Sequence, residues 1–202
     1  MAQVYSQNIV GYVNVTCSNL FTLIENPLDD GAGNTVSNVL KSAPAGTAIF
    51  TFNGTNFALN TLDLFGGWWT RPADVVAPGA GFFVQNNNGA PFTLTFVGNV
   101  LTGTLNTPLK AGVYSLVGSQ VPQSGFMGDL GYAGVNGDFA FRYANTFILY
   151  TKDLFGGGWS SSKAGDTQVD NTKGPFFNIA ESMFYNNQAG VATNWTRTFV
   201  PQ

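Results

Sequence analysis

Two short strings combine an aspartate, adjacent glycines and tryptophan, the residue types of a sugar-binding loop. They are "LDLFGGWWT" at 62–70 and "KDLFGGGWS" at 152–160. A flat indole ring can stack on the C–H face of a pyranose, and a carboxylate beside it can accept hydroxyl hydrogen bonds. A Gly-Gly pair allows the tight turn that such a loop needs. The candidate ligand-binding residues are therefore Trp69, Trp68, Asp63, Trp159 and Asp153.

The same strings also fit a structural role, in which Gly-Gly makes a tight corner and the tryptophan folds back into the core. Both copies keep the motif although the sequences around them have diverged, which favours the corner. We therefore expect Trp68 and Trp159 to lie in the cores. Ser160 follows the single Trp159, so Trp69 has no counterpart. We expect Trp69 to be the exposed ring.

Catalytic groups are scarce. The chain has no histidine, which excludes Ser-His-Asp and Cys-His catalysis and His-ligated zinc. A glycosidase needs two carboxylates across a cleft. Glu25 and Glu181 are the glutamates, and the aspartates are scattered singly or lie in loops. We expect a protein that is not an enzyme.

The loop "DDGAGN" offers a weak metal site. Asp29, Asp30 and Asn34 could supply oxygen ligands to Ca²⁺. The loop lacks the alternating ligands and the closing glutamate of an EF-hand. We expect no cofactor, with Ca²⁺ at this loop as the alternative.

Charge is low for a protein of this size. Only 9% of the residues are charged, against about 25% in typical soluble domains, and the net charge is −3. Without a basic run, nucleic-acid binding is improbable. No run approaches the roughly 18 apolar residues of a membrane-spanning helix. An uncharged polar surface is typical of exported proteins that face glycans, matrix or their own copies.

The start of the chain adds to the expectation of export. Met1-Ala2-Gln3 resembles a start codon placed at a signal-cleavage site. We expect a secreted or cell-surface protein. The lone Cys17 excludes an intrachain disulfide and is expected to be a small buried residue.

The sequence repeats itself in order. For example, "GTAIFTFNGTNFAL" at 46–59 matches "GDFAFRYANTFIL" at 137–149, and several further strings correspond in the same sequence. This pattern predicts a tandem duplication, with one unit at 1–100 and the second at 101–202.

Each unit has the pattern of short strands. Phe139, Phe141 and Tyr143 alternate with Ala140 and Arg142, which is typical of a half-buried strand. Clusters of Gly, Asn, Pro and Asp separate such runs, as turns require.

Helix is scarce. The best candidate is "NTVSNVLKS", in which Asn34 could cap and Val36, Val39 and Leu40 share a face. The predicted fold is all-β, with two tandem-duplicated sandwich or barrel-like units and at most one short helical turn each. The units are either separate or packed as one body with pseudo-twofold symmetry.

Arg197 lies between Trp195 and Phe199 on the expected inward face of a strand. An inward arginine needs a partner or an edge position that reaches water. Pairing with Glu181 is one hypothesis, and an arginine at an edge that extends its head group to solvent is the other.

The strings "GYVNVT", "FNGTNF", "LFGGWW" and "APGAGFFV" resemble those of a group of exported bacterial β-proteins that are frequent in planctomycete and verrucomicrobial genomes. The likeness covers nearly the whole chain. The second unit departs from it at 179–185, where "IAESMFY" lacks the glycines. The resemblance implies export and a two-unit β-fold, and it implies no reaction.

The N-terminal stretch is uncharged and apolar at alternate residues, so it could complete a sheet of its own chain or of a neighbour. The candidate assembly residues are Val4, Tyr5, Ile9, Val10, Tyr12 and Val13. We expect an exported structural protein that assembles with itself through strands and apolar surfaces. The alternative is a carbohydrate-binding module that holds an extracellular glycan with an exposed tryptophan.

Overall fold

The computed structural model describes residues 9–201. It is 49% strand and 2% helix, which confirms the all-β prediction. The sheets of this part of the chain are small and antiparallel, and none of them closes into a barrel.

The first half contains six strands and one helix. They are β1 (Val10–Cys17), β2 (Leu20–Glu25), α1 (Val36–Val39), β3 (Ala48–Phe52), β4 (Phe57–Thr61), β5 (Gly81–Asn86) and β6 (Phe92–Asn99). The second half continues with ten strands. They are β7 (Gly103–Leu109), β8 (Tyr114–Gly118), β9 (Gly125–Phe126), β10 (Phe139–Tyr143), β11 (Phe147–Lys152), β12 (Trp159–Ser161), β13 (Val169–Asp170), β14 (Gly174–Phe177), β15 (Ser182–Asn186) and β16 (Thr193–Phe199).

The two halves share one strand order. The first main sheet runs β2-β5-β3-β4 and the second runs β8-β15-β10-β11, with β12 added at its edge. Each half also has a two-stranded ribbon, β1-β6 in the first and β7-β16 in the second. The second half adds a small sheet, β13-β14-β9. A tandem duplication would produce this match of strand orders.

Each main sheet packs one face against the ribbon of its own half. In the first half the ribbon contributes Cys17, Leu94 and Phe96, which meet Ile49 and Phe82 of the sheet. In the second half Trp195 of the ribbon meets Ala140 and Tyr185 of the sheet. Each half is therefore a small sandwich, because an apolar sheet face must be buried against another layer.

The helix is shorter than the pattern predicts. It begins after an N-cap at Thr35, and Val36 and Val39 are buried. Leu40 is buried as well. The prediction that Asn34 caps this helix is wrong, because its side-chain oxygen accepts a hydrogen bond from the backbone N–H of Asp30 at 3.0 Å instead.

The other faces of the two main sheets meet each other. Ile24 of β2 forms a backbone bridge with Glu181, which directly precedes β15. Val117 of β8 forms a bridge with Ala80, which directly precedes β5. Since Ile24 corresponds to Val117 and Ala80 to Glu181 in the repeat, the two bridges exchange under a pseudo-twofold rotation. The halves therefore form one body with four layers, ribbon, sheet, sheet and ribbon.

Strand β10 shows how both faces of a sheet are covered. The predicted alternation is present, but Ala140 and Arg142 are buried on the side of the second sandwich core. Phe141 and Tyr143 pack instead into the layer between the two halves. Alternation predicts a half-buried strand. It looks the same when a second layer covers the other face, so the pattern alone does not reveal that layer.

Candidate binding site

The aspartate of each Gly-Gly loop folds its own loop. Oδ1 of Asp63 accepts hydrogen bonds from the N–H groups of Phe65 at 2.9 Å and Gly67 at 3.0 Å. Oδ1 of Asp153 accepts from Phe155 at 2.8 Å and Gly157 at 3.0 Å. These donors hold the pKa of Asp153 below its usual range. The two carboxylates are therefore turn caps, and this use competes with hydrogen bonding to a sugar.

The expectations for Trp68 and Trp69 are wrong, and the expectation for Trp159 is confirmed. Trp69 is buried, with 7% of its surface exposed, whereas Trp68 is 77% exposed. Trp159 is buried in the second core, where its indole N–H donates to the carbonyl of Ala133 at 3.0 Å. Trp69 and Trp159 are thus out of reach of a ligand, and Trp68 is the accessible ring.

Trp69, and not Trp68, is the counterpart of Trp159 in the second loop. Counted residue by residue from the aspartates, Trp69 lies opposite Trp159 and Trp68 lies opposite Gly158. A Cβ on Gly158 would lie 2.5 Å from the carbonyl oxygen of Asn171, so the second loop has no space for a side chain there. The residue specific to the first loop is therefore Trp68.

Both loops present a leucine and a phenylalanine to solvent. Leu64 and Phe65 are 83% and 96% exposed, and Leu154 and Phe155 are 64% and 92% exposed. We call these two pairs the Leu-Phe tips. Adjacent exposed apolar side chains on a folded loop are typical of interaction sites. The sequence contains a signal for these pairs, since both copies retain Leu-Phe.

The N-terminal strand is only partly available for assembly. Val4 and Tyr5 lie outside the described residues. Val10 and Tyr12 are 70% and 67% exposed, and Val13 packs against the first core. Strand β1 pairs along its length with β6 of the same chain, and it has no other partner among the described strands. Val13 is thus partly covered by its own core, while Val10 and Tyr12 are accessible.

The proposed calcium loop uses its oxygens internally. Oδ1 of Asp29 accepts from the N–H of Gly31 at 3.1 Å, and Oδ1 of Asp30 accepts from the N–H groups of Ala32 and Asn34 at 2.8 Å each. Among residues 9–201 no cluster of three or more acidic, cysteine or histidine side chains could hold a metal ion. A cation would have to compete with these loop hydrogen bonds.

Arg197 does not pair with Glu181, so that hypothesis is wrong. Glu181 forms an ion pair with Arg142, with Nε of the arginine 2.6 Å from Oε1 of the glutamate. Arg197 donates to the hydroxyl of Ser119 at 2.9 Å and lies within electrostatic range of Glu25. Burial lowers the pKa of Arg197, and the charge of Glu25 opposes that shift.

Glu25 is completely buried where the two halves meet. Neither of its carboxylate oxygens has a hydrogen-bond partner. Burial raises the pKa of Glu25 well above its usual value, and the charge of Arg197 lowers it only in part. Loss of hydration disfavours the charged form of a carboxyl in such a site.

The layer between the two main sheets contains two open aromatic pockets. The larger has a volume of about 440 Å³ and the smaller of about 320 Å³. Their walls consist only of phenylalanine and tyrosine. The larger is lined by Phe21, Phe50, Phe57, Phe83, Tyr143, Phe147 and Phe184, and the smaller by Phe52, Phe57, Tyr114, Phe141, Phe147 and Phe184. Sequence analysis missed these pockets because their walls come from eight strands of both halves.

Comparisons of the chain with protein-family models, with curated proteins and with solved structures gave no match. Within residues 9–201, no helix has the length and apolar character needed to cross a membrane.

Proposed function

We propose that this protein is an exported, non-catalytic structural protein that assembles with itself through the two Leu-Phe tips. The observation that supports this most directly is the exposure of Phe65 at 96% and Phe155 at 92% on equivalent loops. The aspartate cap of each loop fixes the tip before any contact forms, which lowers the entropy lost on binding.

Two equivalent tips on one molecule suit a chain of subunits. A subunit with two contact sites can join two neighbours, and contacts that do not close into a ring extend into a filament. Burying a leucine and a phenylalanine contributes roughly 1.5–3 kcal/mol for each side chain. A single such contact is weak, so chains should lengthen only as the protein concentration rises. The low charge and the resemblance to exported β-proteins support the same proposal.

Substitution of the tips tests the proposal. Electron microscopy and sedimentation velocity should show that the wild-type protein forms chains as its concentration rises. The single variants Phe65→Ser and Phe155→Ser keep one tip each, so they should stop at dimers. The double variant should remain monomeric. Val191→Ser, which changes an exposed apolar residue outside the loops, is the matched control and should assemble as the wild type does.

Chains of unchanged length from the double variant would contradict the proposal. Because both phenylalanine rings project into solvent, we expect the substitutions to leave the fold intact. Far-UV circular dichroism would verify this for each variant.

A second candidate function is binding of an extracellular glycan through Trp68. Its ring is 77% exposed and lies beside the Leu64–Phe65 tip. A glycan array that compares the wild type with Trp68→Ala tests this role. Trp69→Ala is not a suitable test, because that ring belongs to the core. Equal glycan binding by the wild type and Trp68→Ala would exclude the tryptophan as the sugar platform.

A further inference from the structure

The two aromatic pockets are related by the same pseudo-twofold rotation as the halves. Phe50 lines only the larger pocket, and its repeat counterpart Phe141 lines only the smaller. The counterparts Phe57 and Phe147 line both. Phe21 of the larger pocket corresponds to Tyr114 of the smaller, and Tyr143 to Phe52. Phe83 corresponds to Phe184, although Phe184 lines both pockets and Phe83 only the larger. The molecule therefore contains one aromatic pocket in two versions.

We propose that each pocket binds an uncharged small molecule that contains an aromatic ring. The proposal does not depend on self-assembly, since the pockets lie between the sheets and not at the Leu-Phe tips. The volumes of about 440 and 320 Å³ fall within the range of roughly 300–1,000 Å³ that small-molecule sites occupy.

The walls exclude a charged ligand. Neither pocket is lined by a charged side chain. A charged group that entered would lose its hydration and gain no partner, which costs several kcal/mol. The absence of charge along these walls therefore favours a neutral occupant.

A peptide segment does not suit the pockets either. Every peptide unit carries an N–H donor and a C=O acceptor that need partners when they are buried. Rings of phenylalanine offer no such partner, and the only polar groups on the side chains that line the larger pocket belong to Tyr143. A strand or loop of another protein would leave its backbone unsatisfied, whereas a small apolar molecule would not.

The arrangement of the rings favours an aromatic guest. Phe83 and Tyr143 meet edge to face, with ring centroids 5.4 Å apart and an interplanar angle of 83°. Phe52 and Phe184 do the same at 5.5 Å and 77°. Edge-to-face walls present both ring faces and ring edges, and a further ring can stack on the faces or meet the edges. Each such pair favours binding beyond the area that it buries.

The mouths of the pockets are open to a ligand. Phe57 and Phe147 are 47% and 52% exposed, although both belong to the shared wall. A ligand that covers these two rings removes apolar surface from water, which favours binding.

Titration with the neutral fluorophore N-phenyl-1-naphthylamine tests the proposal. Its fluorescence should rise saturably, with two sites per molecule. Phe50→Ala and Phe141→Ala should each remove one site, because each ring lines one pocket. The double variant Phe57→Ala/Phe147→Ala should lose both sites or weaken them at least tenfold. Phe155→Ala, which removes an exposed ring from a Leu-Phe tip, is the control and should leave binding unchanged.

Several outcomes would overturn the proposal. They are two unchanged sites in the Phe57→Ala/Phe147→Ala variant, loss of binding in Phe155→Ala, and equal affinity for the anionic probe 1-anilinonaphthalene-8-sulfonate. Sedimentation velocity with bound probe addresses a further alternative. Dissociation of an oligomer by the probe would mean that a second copy of the chain covers the pockets.

Thermal unfolding separates loss of the site from loss of the fold. Each variant should unfold cooperatively when free. With probe present, the wild type should melt at a higher temperature, because a ligand that binds only the folded state stabilises it. The double variant Phe57→Ala/Phe147→Ala should show no such shift. A folded double variant that the probe stabilises as it does the wild type would overturn the proposal.

Discussion

Asp153 is exposed, and its ionisation is linked to the folding of its loop. Two backbone N–H groups hold its pKa below the ordinary value of 3.8. A carboxylate with a lowered pKa in the folded state stabilises that state above its unfolded pKa. This stabilisation is lost as the pH falls below 3.8 and through the folded pKa. The second loop should therefore keep its structure to a pH lower than an unperturbed aspartate would allow.

Amide chemical shifts of Phe155 and Gly157 test this prediction, because these are the two donors. Both shifts should titrate together, with a midpoint below pH 3.8. In Asp153→Asn the side chain keeps an acceptor oxygen but does not titrate, so the shifts should stay flat. Midpoints at or above 3.8 in the wild type would contradict the role of Asp153 as a charged cap.

Glu25 links stability to pH in the opposite direction. Burial raises its pKa in the folded state well above 4.5, so the folded protein keeps a proton that the unfolded chain has lost. The free energy of unfolding should therefore decrease as the pH rises above 4.5, until the folded pKa is reached. Each unit of the raised pKa corresponds to about 1.4 kcal/mol of this loss.

Urea unfolding of the wild type and Glu25→Gln between pH 4.5 and 8 measures this effect. The free energy of unfolding of Glu25→Gln relative to the wild type should increase across that range, because glutamine does not titrate. Arg197→Met removes the nearby positive charge that lowers the pKa of Glu25, so its stability should go on falling to a higher pH than that of the wild type. Parallel curves for the wild type and Glu25→Gln would exclude a raised pKa.

The ion pair of Arg142 and Glu181 connects several strands. Arg142 lies in β10, and its guanidinium also donates to the carbonyl of Phe176 in β14. Glu181 immediately precedes β15 and accepts from the N–H of Asn178 at 2.9 Å. Both side chains are largely buried, at 7% and 16% exposure, so loss of one partner leaves a poorly solvated charge.

A double-mutant cycle tests the pair. Arg142→Met and Glu181→Gln should each lower the free energy of unfolding by about 3 kcal/mol, as expected for a broken buried pair. The double variant should cost clearly less than the sum of the two. Arg197→Met combined with Glu181→Gln should be additive within about 0.5 kcal/mol, because those side chains do not pair. Additivity in the first cycle would contradict the pairing.

The elements were predictable from the sequence, but their covered faces were not. Alternation in β10 and the turn residues between runs located the strands, since local propensity determines both. A period of two does not reveal that a second layer covers the other face of the strand. The alternation therefore places Arg142 on a solvent-facing side and does not indicate its ion pair with Glu181. The aromatic pockets and the burial of Glu25 depend on contacts between the halves, which no local pattern contains.

The Gly-Gly loops also show how far local sequence patterns can predict burial. The prediction that Trp159 is buried is confirmed, whereas the prediction that Trp68 is buried and Trp69 exposed is wrong. Which of Trp68 and Trp69 turns inward depends on one residue of register. The sequence contains this information, because Gly158 of the second loop aligns with Trp68 of the first.

At the scale of the molecule, the two halves should unfold together. Their backbones are joined at equivalent places, from Glu25 N–H to the carbonyl of Ala180 at 2.9 Å and from Gly118 N–H to that of Gly79 at 3.0 Å. The layer between the sheets buries Leu116 and Phe184 with rings from both halves. Separating the halves would expose that layer to water, so we expect a single cooperative transition with equal calorimetric and van't Hoff enthalpies.

Gly118 is the position at which this coupling can be broken. A Cβ there would lie 2.5 Å from the carbonyl oxygen of Glu181 and 2.6 Å from the carboxyl carbon of Glu25, atoms that sit in the contact between the halves. Gly118→Ala must therefore push the two sheets apart, at a cost of about 1–3 kcal/mol as for other overpacked sites. Calorimetry should show a lower melting temperature and a calorimetric enthalpy above the van't Hoff value, as the halves begin to unfold separately. A Cβ on Gly67 would lie 3.7 Å from its nearest neighbour, Oδ2 of Asp63. The control variant Gly67→Ala should therefore melt at the wild-type temperature. If Gly118→Ala kept one transition at the wild-type temperature, the contact between the halves would not be the source of their cooperativity.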